Sequence, residues 1–174
     1  MPHFDYASIL LLFLSNSQKR KLLTMHRRCL RSAARDYTSP MSQLLSDFDT
    51  VEINVRWHMA LFRTMQAVEH SIRKLQNCVN EKEFLHDAHT CPGLAPIVFY
   101  DLFTLSQNAR RNVFVQPHVR TVKHGERSVR FYGTSFWNKV PHSLRVKDCR
   151  SPTVMEFLKK FLEKQSGIQN SIYA

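Results

Sequence analysis

The sequence predicts a mainly helical α+β fold, with five or six helices and a small antiparallel β hairpin or sheet. Apolar residues recur at helical spacing in three stretches, near residues 17–35, 53–75 and 152–163. Between residues 113 and 132, shorter runs alternate apolar and polar side chains, which is the spacing of strands. The chain has only four glycines, which argues against a loop-rich all-β fold.

The length and the linker signals predict how the chain is divided. A chain of 174 residues is expected to form one domain, or one domain with appendages. Pro92, Gly93 and Pro96 indicate a linker between a helical half at residues 1–91 and a second half at residues 92–174. The two halves are expected to form one compact unit.

The first predicted helix covers residues 17–35 and carries much of the positive charge. Its apolar stripe is predicted to contain Leu22, Met25, Cys29 and Ala33, with Leu23 and Leu30 beside them. Arg27, Arg31 and Arg35 recur every four residues, which aligns them on one side of the helix. Like charges in a row repel, so a bound anion would relieve an energetic cost. A solvated helix face is the alternative.

Two more helices are predicted before the linker, and two after it. Residues 41–48 predict a short helix, and Thr50 caps a longer one of about 25 residues. The buried stripe of the longer helix has apolar residues three or four apart, namely Ile53, Trp57, Leu61, Met65, Val68, Ile72 and Leu75. Residues 97–105 predict an apolar helix. A C-terminal amphipathic helix begins at Ser151-Pro152 and ends near Gly167.

Three short strands are predicted to follow the linker. They contain Val113 with Val115, residues 119–123 and residues 128–132. Gly133 is expected to end the last strand, and a helical turn then runs to Pro141. The large or conformationally special residues that we predict to anchor the core are Trp57, Phe131, Tyr132, Gly133, Trp137 and Pro141.

The net charge of +11 predicts an anionic partner, with RNA or DNA as the usual one. Residues 1–40 carry seven Lys or Arg, and residues 106–150 carry ten, whereas the stretch between them is mildly acidic. The candidate nucleic-acid-binding residues in these two blocks are Lys19, Arg20, Lys21, Arg27, Arg28, Arg31, Arg35, Arg110, Arg111, Arg120, Lys123, Arg127 and Arg130. A basic solvated surface without a specific partner is the alternative.

Other kinds of site find little support in the sequence. It contains no G-x-S-x-G, P-loop or H-E-x-x-H motif, so we predict no enzymatic activity and no small-molecule substrate. The spacing of Cys78, His86, His89 and Cys91 is cramped for zinc, so we predict no metal or other cofactor.

The apolar run at residues 9–14 is too short to span a bilayer, so no membrane partner is expected. The four scattered cysteines favour an intracellular setting, nuclear or cytoplasmic.

The stretch from Arg127 to Pro141, together with Leu144 and Arg145, carries a recognisable pattern. It reads R-S-V-R-F-Y-G, then W-N-K-V-P, then L-R. This series resembles a run in the C-terminal region of reverse transcriptases from non-LTR, LINE-type (jockey-like) retrotransposons. Val129 and Val140 depart from the family pattern, which usually has an aromatic residue and Leu at those places.

Further segments, in the same order, are similar to those of the same family. They are Phe4-Asp5-Tyr6, Lys21-Leu22, His26 to Arg31, Leu44-Leu45, Ile53 with Arg56, Asp101-Leu102-Phe103 and Arg120-Thr121. Within this series, His26 stands where the family usually has Gln. The resemblance therefore covers most of the chain, from Phe4 to the C-terminal amphipathic helix.

The resemblance implies a segment that lies downstream of the polymerase core. Reverse transcription needs carboxylates that hold two metal ions, and the family's Tyr-x-Asp-Asp is absent from this sequence. The expected function is therefore non-catalytic nucleic-acid binding by a remnant of an RNA-directed DNA polymerase. The alternative is a protein–protein interaction or scaffold domain, or a decayed fragment of the mobile element without nucleic-acid binding.

Overall fold

The computed structural model describes residues 11, 14–77, 102–106, 113–119, 128–148 and 151–172. Six helices lie in these ranges, and they account for most of the described residues. In chain order they are α1 (Asn16–Ala34), α2 (Met41–Asp47), α3 (Ile53–Asn77), α4 (Val129–Lys139), α5 (His142–Arg145) and α6 (Pro152–Ile172).

The predicted α+β class is wrong, because the described part of the chain forms no strand and no sheet. Residues 128–132, predicted as a strand, form the start of α4, and Gly133 lies inside that helix. Phe114 makes only an isolated antiparallel bridge with Leu105. Most of the other predicted strand, residues 120–123, lies outside the described residues. The helix predicted at residues 97–105 is described only from residue 102, and residues 102–105 are not helical, so the prediction is wrong for that part.

The contacts divide the chain into two compact units. The first contains Met1–Ala60 and Lys159–Ala174, and the second contains Leu61–Leu158. Helices α3 and α6 each contribute residues to both units. The predicted division between residues 91 and 92 lies outside the described residues and stays a prediction.

In the first unit, α1 begins and ends at well-defined caps. The Ser15 hydroxyl accepts a hydrogen bond from the backbone N–H of Gln18, whose side chain accepts one from the backbone N–H of Ser15. This reciprocal pair satisfies two N–H groups that a helix start leaves without partners. At the other end Arg35 adopts a left-handed conformation with φ of 53°, and the helix stops there. The predicted bounds of this helix are confirmed within one residue.

The buried side of α1 differs from the predicted one. Leu30 is the buried residue of the helix, and α1 packs against α2, where Leu44 is buried. Met25, Cys29 and Ala33 are exposed, so the predicted apolar stripe is wrong at these three residues, whereas Leu30, predicted beside it, is buried. In the long helix α3 the prediction is confirmed for the six stripe residues whose burial is described, namely Ile53, Trp57, Leu61, Met65, Val68 and Ile72.

The core of the second unit is built around Trp137 of α4, which is fully buried. The Phe62 ring stacks on it at a centroid distance of 5.4 Å, and the Phe114 ring lies 6.0 Å away at a tilt. Gly133 allows α4 to approach α3, since a Cβ built there would lie 2.9 Å from the Met65 sulfur. Close packing in this unit therefore depends on a residue without a side chain.

Asn138 fixes the extended segment at Phe114. Its Oδ1 accepts the backbone N–H of Phe114 at 3.0 Å, and its Nδ2 donates to the Phe114 carbonyl at 2.9 Å. The other edge of this segment pairs with residues 104–106, through N–H···O bonds of 2.8 and 2.9 Å. The side-chain amide of Asn138 thus forms the two hydrogen bonds that the backbone of a neighbouring strand would otherwise form.

The predicted core anchors occupy different depths. Trp57, Gly133 and Trp137 are buried, Phe131 and Tyr132 are half-buried, and Pro141 is exposed. Burial raises the pKa of Tyr132. None of the helices in the described ranges has the length and apolar character needed to cross a membrane.

Candidate nucleic-acid interface

Helix α1 carries a one-sided arrangement of positive charge. Its 19 residues include six Lys or Arg and no Asp or Glu. At 100° per residue, five of the six fall within an arc of about 120° around the helix axis. The basic face of α1 is defined here as these five residues and the residue at the C-cap, namely Arg20, Lys21, Arg27, Arg28, Arg31 and Arg35. Lys19 lies outside this arc and is half-buried.

Two members of the basic face are tied to the rest of the first unit. The guanidinium of Arg27 forms an ion pair with the carboxylate of Glu52, just before α3. Arg31 Nη1 donates a hydrogen bond to the backbone carbonyl of Tyr37 at 2.6 Å. Both guanidiniums therefore have partners within the first unit, and removing either one would remove that contact as well as a surface charge.

Lys21, Arg28 and Arg35 are placed differently. All three are exposed, and none forms a side-chain hydrogen bond or ion pair with another described residue. They are spaced seven residues apart, so they follow one line along the helix at intervals of about 10 Å. On the basic face, these three side chains are therefore accessible to an anion from outside the protein.

The histidines near α1 add little to this positive charge. Burial lowers the pKa of His26, with a smaller opposing effect of Glu52, and its Nδ1 has no hydrogen-bond partner among the described residues. Burial also lowers the pKa of His58, whose Nδ1 lies 2.7 Å from the Asn54 carbonyl. Both imidazoles are therefore neutral at pH 7, and the positive field comes from Lys and Arg.

The second predicted basic block is only partly within the described residues. Arg130 is exposed in the first turn of α4, in the second unit. The remaining five candidates lie outside the described residues, namely Arg110, Arg111, Arg120, Lys123 and Arg127. The prediction that this block also contacts nucleic acid therefore stays a prediction.

No family model, no curated protein and no solved structure matches this chain. The resemblance to the retrotransposon reverse transcriptases therefore rests on the sequence motifs alone. The geometry of the basic face is independent of that resemblance.

The described residues include no group of three or more His, Cys, Asp or Glu that could hold a metal ion. The four Cys and His residues weighed above as zinc ligands, between residues 78 and 91, lie outside the described ranges. The described part of the candidate interface consists of the basic face of α1 and one exposed aromatic ring beside it.

The ring belongs to Tyr37, which is not among the residues that the sequence predicts to bind nucleic acid. Tyr37 follows the basic face directly and is 70% exposed, the highest value among the exposed large apolar and aromatic residues of the described ranges. A signal was present, because an aromatic residue stands between Arg35 and the turn residues Thr38-Ser39-Pro40.

Proposed function

We propose that this chain is a non-catalytic nucleic-acid-binding module, related to the C-terminal region of a non-LTR retrotransposon reverse transcriptase. The observation that carries the proposal is the line of Lys21, Arg28 and Arg35 on the basic face of α1. Exposed cations on a helix face are suited to the phosphate backbone, whose negative charges are regularly spaced. The ordered sequence motifs support the same partner by a separate route.

The mechanism is neutralisation of phosphates with release of their counterions. Each phosphate that the protein neutralises contributes about −0.9 to the slope of log K against log salt for duplex DNA, and about −0.7 for a single strand. Three contacts by the free cations predict a slope of about −2 to −3. Such contacts fix the position of the chain on the backbone and read little sequence.

A non-catalytic role is part of the proposal because of the sequence. Phosphoryl transfer by two metal ions requires a set of acidic ligands held close together. The sequence contains no two adjacent Asp residues. Binding, without turnover of the nucleic acid, is the activity that the remaining residues support.

The test compares two variants of the full chain that lose the same charge. The first replaces Lys21, Arg28 and Arg35 by Gln, and the control replaces the exposed lysines Lys139, Lys147 and Lys164 by Gln. Binding to labelled RNA and DNA is measured by fluorescence anisotropy between about 50 and 200 mM salt. We expect the first variant to lose affinity about tenfold or more and to have a shallower salt slope, by about 2.

The control variant should bind nearly as tightly as the unchanged chain. Equal losses in both variants would mean that only net charge matters, and the basic face of α1 would lose its role. Absence of salt-dependent binding in the unchanged chain would refute the proposed function altogether. The protein–protein interaction or scaffold alternative would then be the better account of this chain.

A further inference from the structure

Tyr37 presents an aromatic ring directly beside the basic face of α1. It is 70% exposed, and it follows the helix C-cap by two residues. A single exposed aromatic residue is common on protein surfaces and needs no explanation by itself. Tyr37 differs from such a residue in two respects, which are the hydrogen bonds that hold its backbone and the cations that surround it.

The first observation is that the backbone under the ring is fixed. Arg31 Nη1 donates to the Tyr37 carbonyl at 2.6 Å, and the backbone N–H of Asp36 donates to the Arg31 carbonyl at 3.1 Å. On the other side, the Asp36 carboxylate accepts the N–H groups of Thr38 and Ser39 at 2.9 and 3.0 Å. Hydrogen bonds from Ser39 and Thr38 hold the pKa of the Asp36 carboxyl well below its usual range, so it stays ionised.

The ring is therefore held on a turn that is hydrogen-bonded at both of its ends. A ligand that contacts Tyr37 does not need to order the loop first. Less conformational entropy is lost on binding when the site is already in place.

The second observation is the charge around the ring. Arg31 reaches the Tyr37 backbone, and the exposed Arg35 stands two residues before it with no partner among the described residues. Arg28 lies about 10 Å further along the same line on α1. A row of cations that ends at an exposed aromatic ring is the combination found where proteins bind single strands, since the cations follow the backbone and bases stack on the ring.

We infer that Tyr37 stacks on an unpaired base, so that the basic face of α1 binds single-stranded RNA or DNA in preference to a duplex. This inference rests on the proposed function and narrows its ligand. Both faces of a base inside a duplex are covered by its neighbours, so the ring gains a partner only on a single strand. The stacking is independent of sequence because every base has a face.

The experiment measures binding of the full chain to a single strand of about 16 nucleotides and to its duplex. RNA and DNA of the same sequence form separate arms. The variants are Tyr37→Ala, Tyr37→Phe and the matched control Phe157→Ala, which removes another exposed aromatic ring, 52% exposed on α6. We expect Tyr37→Ala to weaken binding to the single strand about 5- to 100-fold and to leave duplex binding and the salt slope unchanged.

Tyr37→Phe should keep the affinity of the unchanged chain for single strands, because the ring remains. A Tyr37→Ala variant that binds single strands normally, while the Lys21, Arg28 and Arg35 variant fails, would overturn the stacking role and leave the proposed function standing. Equal losses for single strand and duplex would also overturn it. If the unchanged chain shows no salt-dependent binding, both proposals fail.

Discussion

Asn138 of α4 binds the extended segment at Phe114 through its side-chain amide. Its amide bonds both backbone groups of Phe114, and the Phe114 ring then packs against Trp137, the residue just before Asn138. The partners are 24 residues apart in the sequence. No local pattern predicts such a pair, because helical and strand periodicities describe neighbours along the chain only. The sequence motif contained the residue, but the structure was needed to give it a role.

Replacing Asn138 by Ala should destabilise the second unit. The change leaves two backbone groups of the buried Phe114 without partners, which costs about 1–3 kcal/mol. Urea denaturation monitored by circular dichroism measures the loss. Asn16→Ala removes the same amide from an exposed position and is the control. An Asn138→Ala variant as stable as the unchanged chain would show that the two hydrogen bonds contribute nothing.

His26 and His58 should make the stability of the first unit depend on pH. Burial lowers the pKa of both imidazoles below the ordinary value of 6.5. The unfolded chain therefore binds more protons than the folded chain just below pH 6.5, so the free energy of unfolding falls as the pH is lowered through this range. A variant with Gln at both positions should show a flatter profile of the denaturation midpoint against pH. The exposed His142→Gln is the control, and a profile that it flattens equally would contradict this assignment.

Helix α4 shows which elements the sequence predicts poorly. Residues 128–132 alternate apolar and polar side chains, and five residues are too few to separate a strand from a helix. A longer window favours the helix, because Gly133, Phe136, Trp137 and Val140 are all buried and lie at helical spacing. Ser128 also caps the helix by accepting the N–H of Phe131 at 3.2 Å. By contrast, the stripe of α3 repeats over about five turns from Ile53 to Ile72, and its prediction is confirmed there.

Substituting Gly133 by Ala tests how closely α4 packs against α3, because the packing determines whether the free energy of unfolding rises or falls. In an ordinary helix interior, this change stabilises by about 1 kcal/mol. Here the new methyl group would lie 2.9 Å from the Met65 sulfur, so we expect destabilisation by about 1–2 kcal/mol instead. Thermal and urea denaturation measure the change, with the exposed Lys139→Ala on the same helix as the control. A more stable Gly133→Ala variant would show that the Met65 side chain gives way to the methyl group at little cost.

The charge of +11 belongs to the chain as a whole and predicts an anionic partner, but it does not say which cations would meet that partner. Of the thirteen candidate cations, eight lie in the described residues, and four of these are exposed and have no side-chain partner there, namely Lys21, Arg28 and Arg35 along α1 and Arg130 on α4. The sequence could not make this selection. The contacts of Arg27 with Glu52 and of Arg31 with Tyr37 depend on how α1 meets the segments that follow it.

A bound oligonucleotide should stabilise the folded chain at low salt. A ligand that binds only the folded state adds about 2.7 kcal/mol when its concentration is 100 times Kd. We expect the Tm to rise with added oligonucleotide at about 50 mM salt and the rise to shrink at about 200 mM. The Lys21, Arg28 and Arg35 variant should show a much smaller rise than the three-lysine control. A rise that is independent of salt would contradict binding through phosphates.

The two tryptophans of the chain are divided between the two units. Trp57 lies in the first and Trp137 in the second, and both are completely buried. The indole Nε1 of Trp57 has no hydrogen-bond partner among the described residues, so phenylalanine replaces it without the loss of such a bond. Each unit thus carries its own fluorescent probe. In a Trp57→Phe variant the emission reports on the second unit alone, and a comparison with Trp137→Phe reveals whether the units melt together or in turn.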